Sequence, residues 1–94
     1  MAKLDDLLAQ HRAEPFPASV VKGLDYGEVD AVMIDADIYG WASNASSSGG
    51  LSPTERVALQ AARDRLARSL GEFPHDARAY YEMLLQLANL ALGS

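Results

Sequence analysis

The chain contains no cysteine, which excludes a disulfide framework, a thiolate zinc site and a thiol nucleophile together. No apolar run approaches the roughly 20 residues that cross a bilayer. The first residues, Met1-Ala2-Lys3-Leu4-Asp5-Asp6, place two acids where a signal peptide needs an apolar stretch. These absences lead to the expectation of a cytoplasmic protein with no membrane partner. Lysine is scarce, two residues against six arginines, while alanine fills sixteen positions. That balance suits a bacterial genome rich in GC. With 94 residues there is no room for separate substrate and cofactor domains, so residues 1–94 are read as one domain.

Cations are missing altogether from residues 23–55, which hold Asp25, Glu28, Asp30, Asp35, Asp37 and Glu55 and so carry a net charge of −6. Residues 1–22 balance to zero, and residues 56–94 to +1. The whole excess of the chain, −5, therefore sits in its middle third. Carboxylates without countercharge repel one another and destabilise the compact state.

Hydrophobic periodicity is helical over most of the length. Leu4, Leu7, Leu8 and His11 follow the i, i+3, i+4, i+7 stripe of a short amphipathic helix, which Glu14-Pro15-Phe16-Pro17 ends. Residues 13–30 read as irregular or briefly extended chain, with Gly23 and Gly27 as turn candidates. Ala31, Ile34, Ile38, Trp41, Ala42 and Ala45 share one side at about 100° per residue, which predicts a helix over 31–46 with Asp30 as its N-cap. A strand over 29–34 is the alternative. Ser46-Ser47-Ser48-Gly49-Gly50 reads as a loop. In Ser52-Pro53-Thr54-Glu55 a capping serine precedes proline, with glutamate three residues on, the signature of a capping box. That helix carries Leu59, Ala62, Leu66 and Leu70 and ends at Gly71. After Phe73-Pro74 a last helix is predicted over 75–92, with an apolar face of Ala77, Tyr80, Tyr81, Leu84, Leu87, Ala88, Ala91 and Leu92. A face that broad needs several neighbours, which would put this helix at the centre of an all-α bundle of about four helices.

Motifs for chemistry are weak. Asp35-Ala36-Asp37 has the look of a cation-binding pair, but side chains two apart on a helix diverge by about 200°, and the remaining ligands of a calcium loop are absent. No metal or cofactor is expected. His11 and His75 fall in different elements and no Gly-x-Ser-x-Gly elbow surrounds a serine, so no catalytic residue is assigned and an enzyme is not expected. Ser48-Gly49-Gly50 lacks the following Gly-Lys-Ser of a phosphate loop. Arg56, Arg63, Arg65 and Arg68 spread around their helix instead of forming a basic stripe, so nucleic acid is not an expected partner.

The acidic segment remains. Tyr26, Tyr39 and Trp41 are interleaved with it, and aromatic anchors among like charges suit a surface that captures a basic protein. The expected function is a non-enzymatic interaction module, an inhibitor or adaptor of the immunity or antitoxin kind. Its partner-binding residues would be Asp25, Tyr26, Glu28, Asp30, Asp35, Asp37, Tyr39 and Trp41. The alternative is a structural homodimer with no dedicated ligand, formed through helix 75–92.

Overall fold

In the computed structural model, which describes residues 3–93, the stripe read over the first dozen residues becomes α1 (Lys3–Ala13). Its buried residues are Leu4, Leu8 and His11. Met1, Ala2 and Ser94 lie outside the described residues. After α1 the chain runs through turns closed by Val20 N–H to the Pro17 carbonyl and Leu24 N–H to the Val21 carbonyl.

Over residues 29–34 the helix reading holds from Ala31 onward, and the alternative of a strand through residue 34 does not. Val29 and Asp30 form a two-residue strand, β2 (Val29–Asp30), antiparallel to β1 (Asp25–Tyr26), and the helix begins at the next residue. That helix, α2 (Ala31–Ser48), is capped as expected: an Asp30 carboxylate oxygen accepts from the backbone N–H groups of Val32 and Met33 at 3.0 and 2.9 Å. Its buried residues Ala31, Ile34, Ile38, Ala42 and Ala45 belong to the predicted stripe, of which Trp41 is only half-buried, and the helix runs past the expected end at 46 through the serines read as loop until left-handed Gly49 (φ 78°) ends it.

The capping box of α3 (Pro53–Ser69) is complete: Ser52 Oγ accepts from Glu55 N–H at 3.1 Å, and the Glu55 carboxylate accepts from Ser52 N–H at 2.9 Å. The regular helix stops at Ser69, and a single 3₁₀ turn, Leu70–Glu72, carries the chain past Gly71. A second such turn, His75–Ala77, leads into α4 (Arg78–Leu92). The helix predicted from 75 is α-helical only from Arg78, and its first turn is tighter, with Ala77 N–H donating to the Pro74 carbonyl at 2.9 Å.

The fold is a small all-α bundle in which α4 packs against α1, α2 and α3. Tyr81, Leu84, Leu87, Ala88 and Ala91 are fully buried at its centre, together with Ile38, Leu59 and Leu66. The broad apolar face that made a dimer seam an expectation is therefore covered by three neighbours within the chain. At one end of the bundle, Arg56 in the first turn of α3 donates to the Leu92 carbonyl at the end of α4. Elsewhere, Ser46 of α2 hydrogen-bonds Asp5 of α1, so α1 and α2 run antiparallel. No helix among the described residues is long and apolar enough to cross a membrane.

Candidate functional site

The hairpin of β1 and β2 sets the geometry of the acidic segment. Gly27 at its tip has φ +62°, and a Cβ there would lie 2.7 Å from Ser69 Oγ and 2.9 Å from Ser69 Cβ, so only glycine admits this approach. Ser69 is buried at the end of α3, and its hydroxyl accepts from Glu28 N–H at 2.9 Å. Docked in this way, the hairpin brings Glu28 against α3, where Arg68 donates to both carboxylate oxygens at 2.8 and 2.9 Å. The hydrogen bonds and charge of Arg68 hold the Glu28 carboxyl below its usual range. Arg65 joins Glu28, Asp30 and Asp37 along the same shallow groove.

The eight residues expected to bind a partner do not share one surface. Asp25, Glu28 and Asp37 are exposed. Asp30 is committed to capping α2. Tyr26 stacks on Phe73 at 4.9 Å between ring centroids while its hydroxyl accepts from Val21 N–H at 2.9 Å. Trp41 is half-buried and packed against the core. Glu28 is also not left uncompensated, as the linear charge count suggested, because Arg68 pairs with it and Arg65 lies nearby, both from a segment that is distant in sequence. Asp35 and Asp37 diverge as helical spacing requires, Asp37 outward and Asp35 inward.

Asp35 enters a polar network that local pattern did not foretell. One of its oxygens takes His11 Nε2 at 2.7 Å and the other accepts from the Tyr80 hydroxyl at 2.6 Å. The three residues come from α1, α2 and α4. His11 is 5% exposed, and its ring lies 4.7 Å from Tyr80 and 5.8 Å from Tyr39, centroid to centroid. Burial, then the bond to Asp35, pushes the Tyr80 hydroxyl well above the usual tyrosine range. His11 Nδ1 is buried with no hydrogen-bond partner.

Beside this network opens a cleft of about 480 Å³, lined by Phe16, Val32, Ala36, Tyr39 and Tyr80, with two cations, Arg12 and Lys22, and two carboxylates, Glu14 and Asp35. Arg12 donates to the Tyr39 hydroxyl at 3.0 Å, and the Lys22 ammonium lies 5.5 Å from the centre of the Phe16 ring. The sequence signal for this region was the position of His11 on the apolar stripe of α1, since a histidine there must be buried and must find a partner. Its partner, 24 residues away, leaves no trace in local pattern.

Exposed apolar residues concentrate in one stretch of the chain. Five large hydrophobic side chains are exposed among the described residues, and Val21 (58%), Leu24 (49%), Val32 (38%) and Met33 (58%) are four of them. A hydrogen bond from Ala31 N–H to the Leu24 carbonyl holds the turn beside the start of α2. Among the described residues no three histidine, aspartate or glutamate side chains converge as a metal site would require. Compared with known proteins, the chain matches no family model, no curated protein and no solved structure.

Proposed function

We propose that the protein is a non-enzymatic interaction module that docks a basic partner on the surface of residues 21–37. The observation that carries this reading is the gathering of Val21, Leu24, Val32 and Met33, all exposed, into one short stretch of chain. Single exposed hydrophobics need no explanation, whereas a group of them rimmed by charge has the composition of an interface. Asp25 and Asp37 supply the charged rim, and Glu28 contributes with Arg68 attached to it. Tyr26, with its hydroxyl on Val21 N–H and its ring on Phe73, supports the surface from behind. An inhibitor or adaptor of the immunity or antitoxin kind fits this combination of size, acidity and exposed apolar chain.

Two variants test the reading without touching the fold: Met33→Glu with Leu24→Lys, and Asp25→Lys with Asp37→Lys. Both pairs lie at exposed positions. Asp35 is unsuitable for such a test because its charge is needed inside the bundle. Affinity capture from the native host with wild-type protein should retain a basic protein that salt elutes. Each variant should bind that protein at least about tenfold more weakly, a loss of about 1.4 kcal/mol, while its helical circular dichroism is unchanged. Equal binding by wild type and both variants would exclude this surface.

A further inference from the structure

The cleft beside His11 carries no net charge, since Arg12 and Lys22 offset Glu14 and Asp35. Arg12 is turned onto the Tyr39 hydroxyl, and the Lys22 ammonium lies against the Phe16 ring. The rest of the wall is apolar, with Tyr80, Val32 and Ala36 completing it. A balanced, ring-lined cleft of about 480 Å³ suits a neutral apolar group and has room for one aromatic side chain.

On the other side of the exposed face of α2 lies a groove of different character, where Glu28, Asp30, Asp37 and Arg65 stand beside Met33 and Ile34. Three carboxylates against Arg65, and against Arg68 on Glu28, leave one negative charge in excess. Asp37 is also the single charged residue among the exposed positions of α2. The two hollows share a border. Val32 lines the cleft and Met33 the groove, and these consecutive residues are both exposed. Ala36 and Asp37 repeat the step one turn later, again exposed. A ridge with an apolar start therefore runs between a neutral hollow and an acidic one.

We propose, resting on the docking reading above, that the basic partner presents a segment in which an aromatic side chain is followed within a few residues by lysine or arginine. The ring enters the cleft beside Tyr39 and Tyr80, the chain crosses Val32 and Met33, and the cation reaches Asp37. A ring that fills a pocket carries more binding energy than the rim around it, so the cleft supplies affinity. The acidic groove supplies direction, because a reversed segment would leave its cation without a counterion. A neutral anchor suits the cleft because its entry leaves the existing charge balance undisturbed.

Titration of the full chain with the peptide acetyl-Phe-Ser-Ser-Lys-Lys-amide, followed by ¹H–¹⁵N NMR, tests this without the host partner. The amides of Phe16, Ala36, Tyr39 and Tyr80 should shift together with those of Met33 and Asp37. Alanine in place of the peptide's phenylalanine should weaken binding at least about tenfold and remove the shifts at Tyr39 and Tyr80. Glutamate in place of both lysines should weaken it about tenfold and remove the shift at Asp37. In the protein, Ala36→Trp, at an exposed position on the cleft wall, should keep its helical circular dichroism, lose about tenfold in affinity for the phenylalanine peptide and bind the alanine peptide as before. Equal affinity for the phenylalanine and alanine peptides would overturn the anchor, and the docking reading would still stand if the surface variants of residues 24, 25, 33 and 37 weaken partner capture. Equal affinity for the lysine and glutamate peptides, full affinity in the Ala36 variant, shifts confined to the α3 face around Val57 and Gln60, or no shift at millimolar concentration would overturn the proposal too. Failure of the docking reading shows separately, as partner capture that neither pair of surface variants weakens.

Discussion

Two glycines show how one residue type takes opposite roles in a single small chain. Gly27 is left-handed and faces Ser69 with no room for a methyl group, whereas Gly40 lies inside α2 with nothing within 4 Å of where a Cβ would stand. Gly27→Ala should therefore lower stability by at least about 2 kcal/mol, from a left-handed alanine and a forced retreat of the hairpin from α3. Gly40→Ala should raise it by about 1 kcal/mol through the helix term alone. Urea denaturation of the two variants measures both, and the same sign for both would contradict the geometry. Asp35 shows the same dependence on position. The two residues after it, Ala36 and Asp37, are exposed, yet the phase of the helix puts its carboxylate between a buried imidazole and a phenol.

At the scale of elements, the ends of the helices follow local chemistry closely. Ser52, Pro53 and Glu55 form their box with contacts no more than three residues apart, and Asp30 caps α2 over the same short range. Ser52→Ala should cost about 1 kcal/mol and fray the first turn of α3, seen as faster hydrogen exchange at Glu55 and Arg56. If exchange there stays slow, the cap is redundant with the tie between Arg56 and Leu92. The boundaries that local chemistry did not fix are those where the chain tightens, Leu70–Glu72 and His75–Ala77. There Phe73 is drawn into the core and stacks on Tyr81 at 4.0 Å between centroids. Burial of one ring thus sets the shape of the turn on either side of it.

At the scale of the whole molecule, aromatic rings connect the hairpin to α1. Tyr26, Phe73, Tyr81, Tyr80 and His11 follow one another at centroid distances of 4.9, 4.0, 5.1 and 4.7 Å. Tyr81 also donates to the Ala31 carbonyl at 2.9 Å. Burial first, and nearby carboxylates second, push both the Tyr80 and Tyr81 hydroxyls above the usual tyrosine range. The folded state keeps these protons where the unfolded chain releases them. The stabilisation is therefore complete below about pH 10, the ordinary tyrosine value, and declines as pH rises beyond it, by at most about 1.4 kcal/mol per pH unit for each group. Thermal melts between neutral and strongly alkaline pH should show Tm falling more steeply in wild type than in Tyr80→Phe. Parallel curves would mean that the Tyr80 proton is not held by the fold.

The sequence by itself determined the four helices, the Asp30 and Ser52 caps and most of the residues that face inward, because those follow from contacts within a few positions and from the period of the apolar pattern. It also determined that α4 would be central, since its apolar face is too broad for one neighbour. Only the tertiary structure decided which charges meet. Arg68 lies 40 residues from Glu28, Tyr80 lies 45 from Asp35, and His11 lies 24 from it. Electrostatic partners are chosen by distance in space, and a charge tally along the chain holds no record of that distance. Hence the sequence showed an acidic middle third, while the fold paired part of it with arginine, drew another part into the bundle, and left the rest exposed.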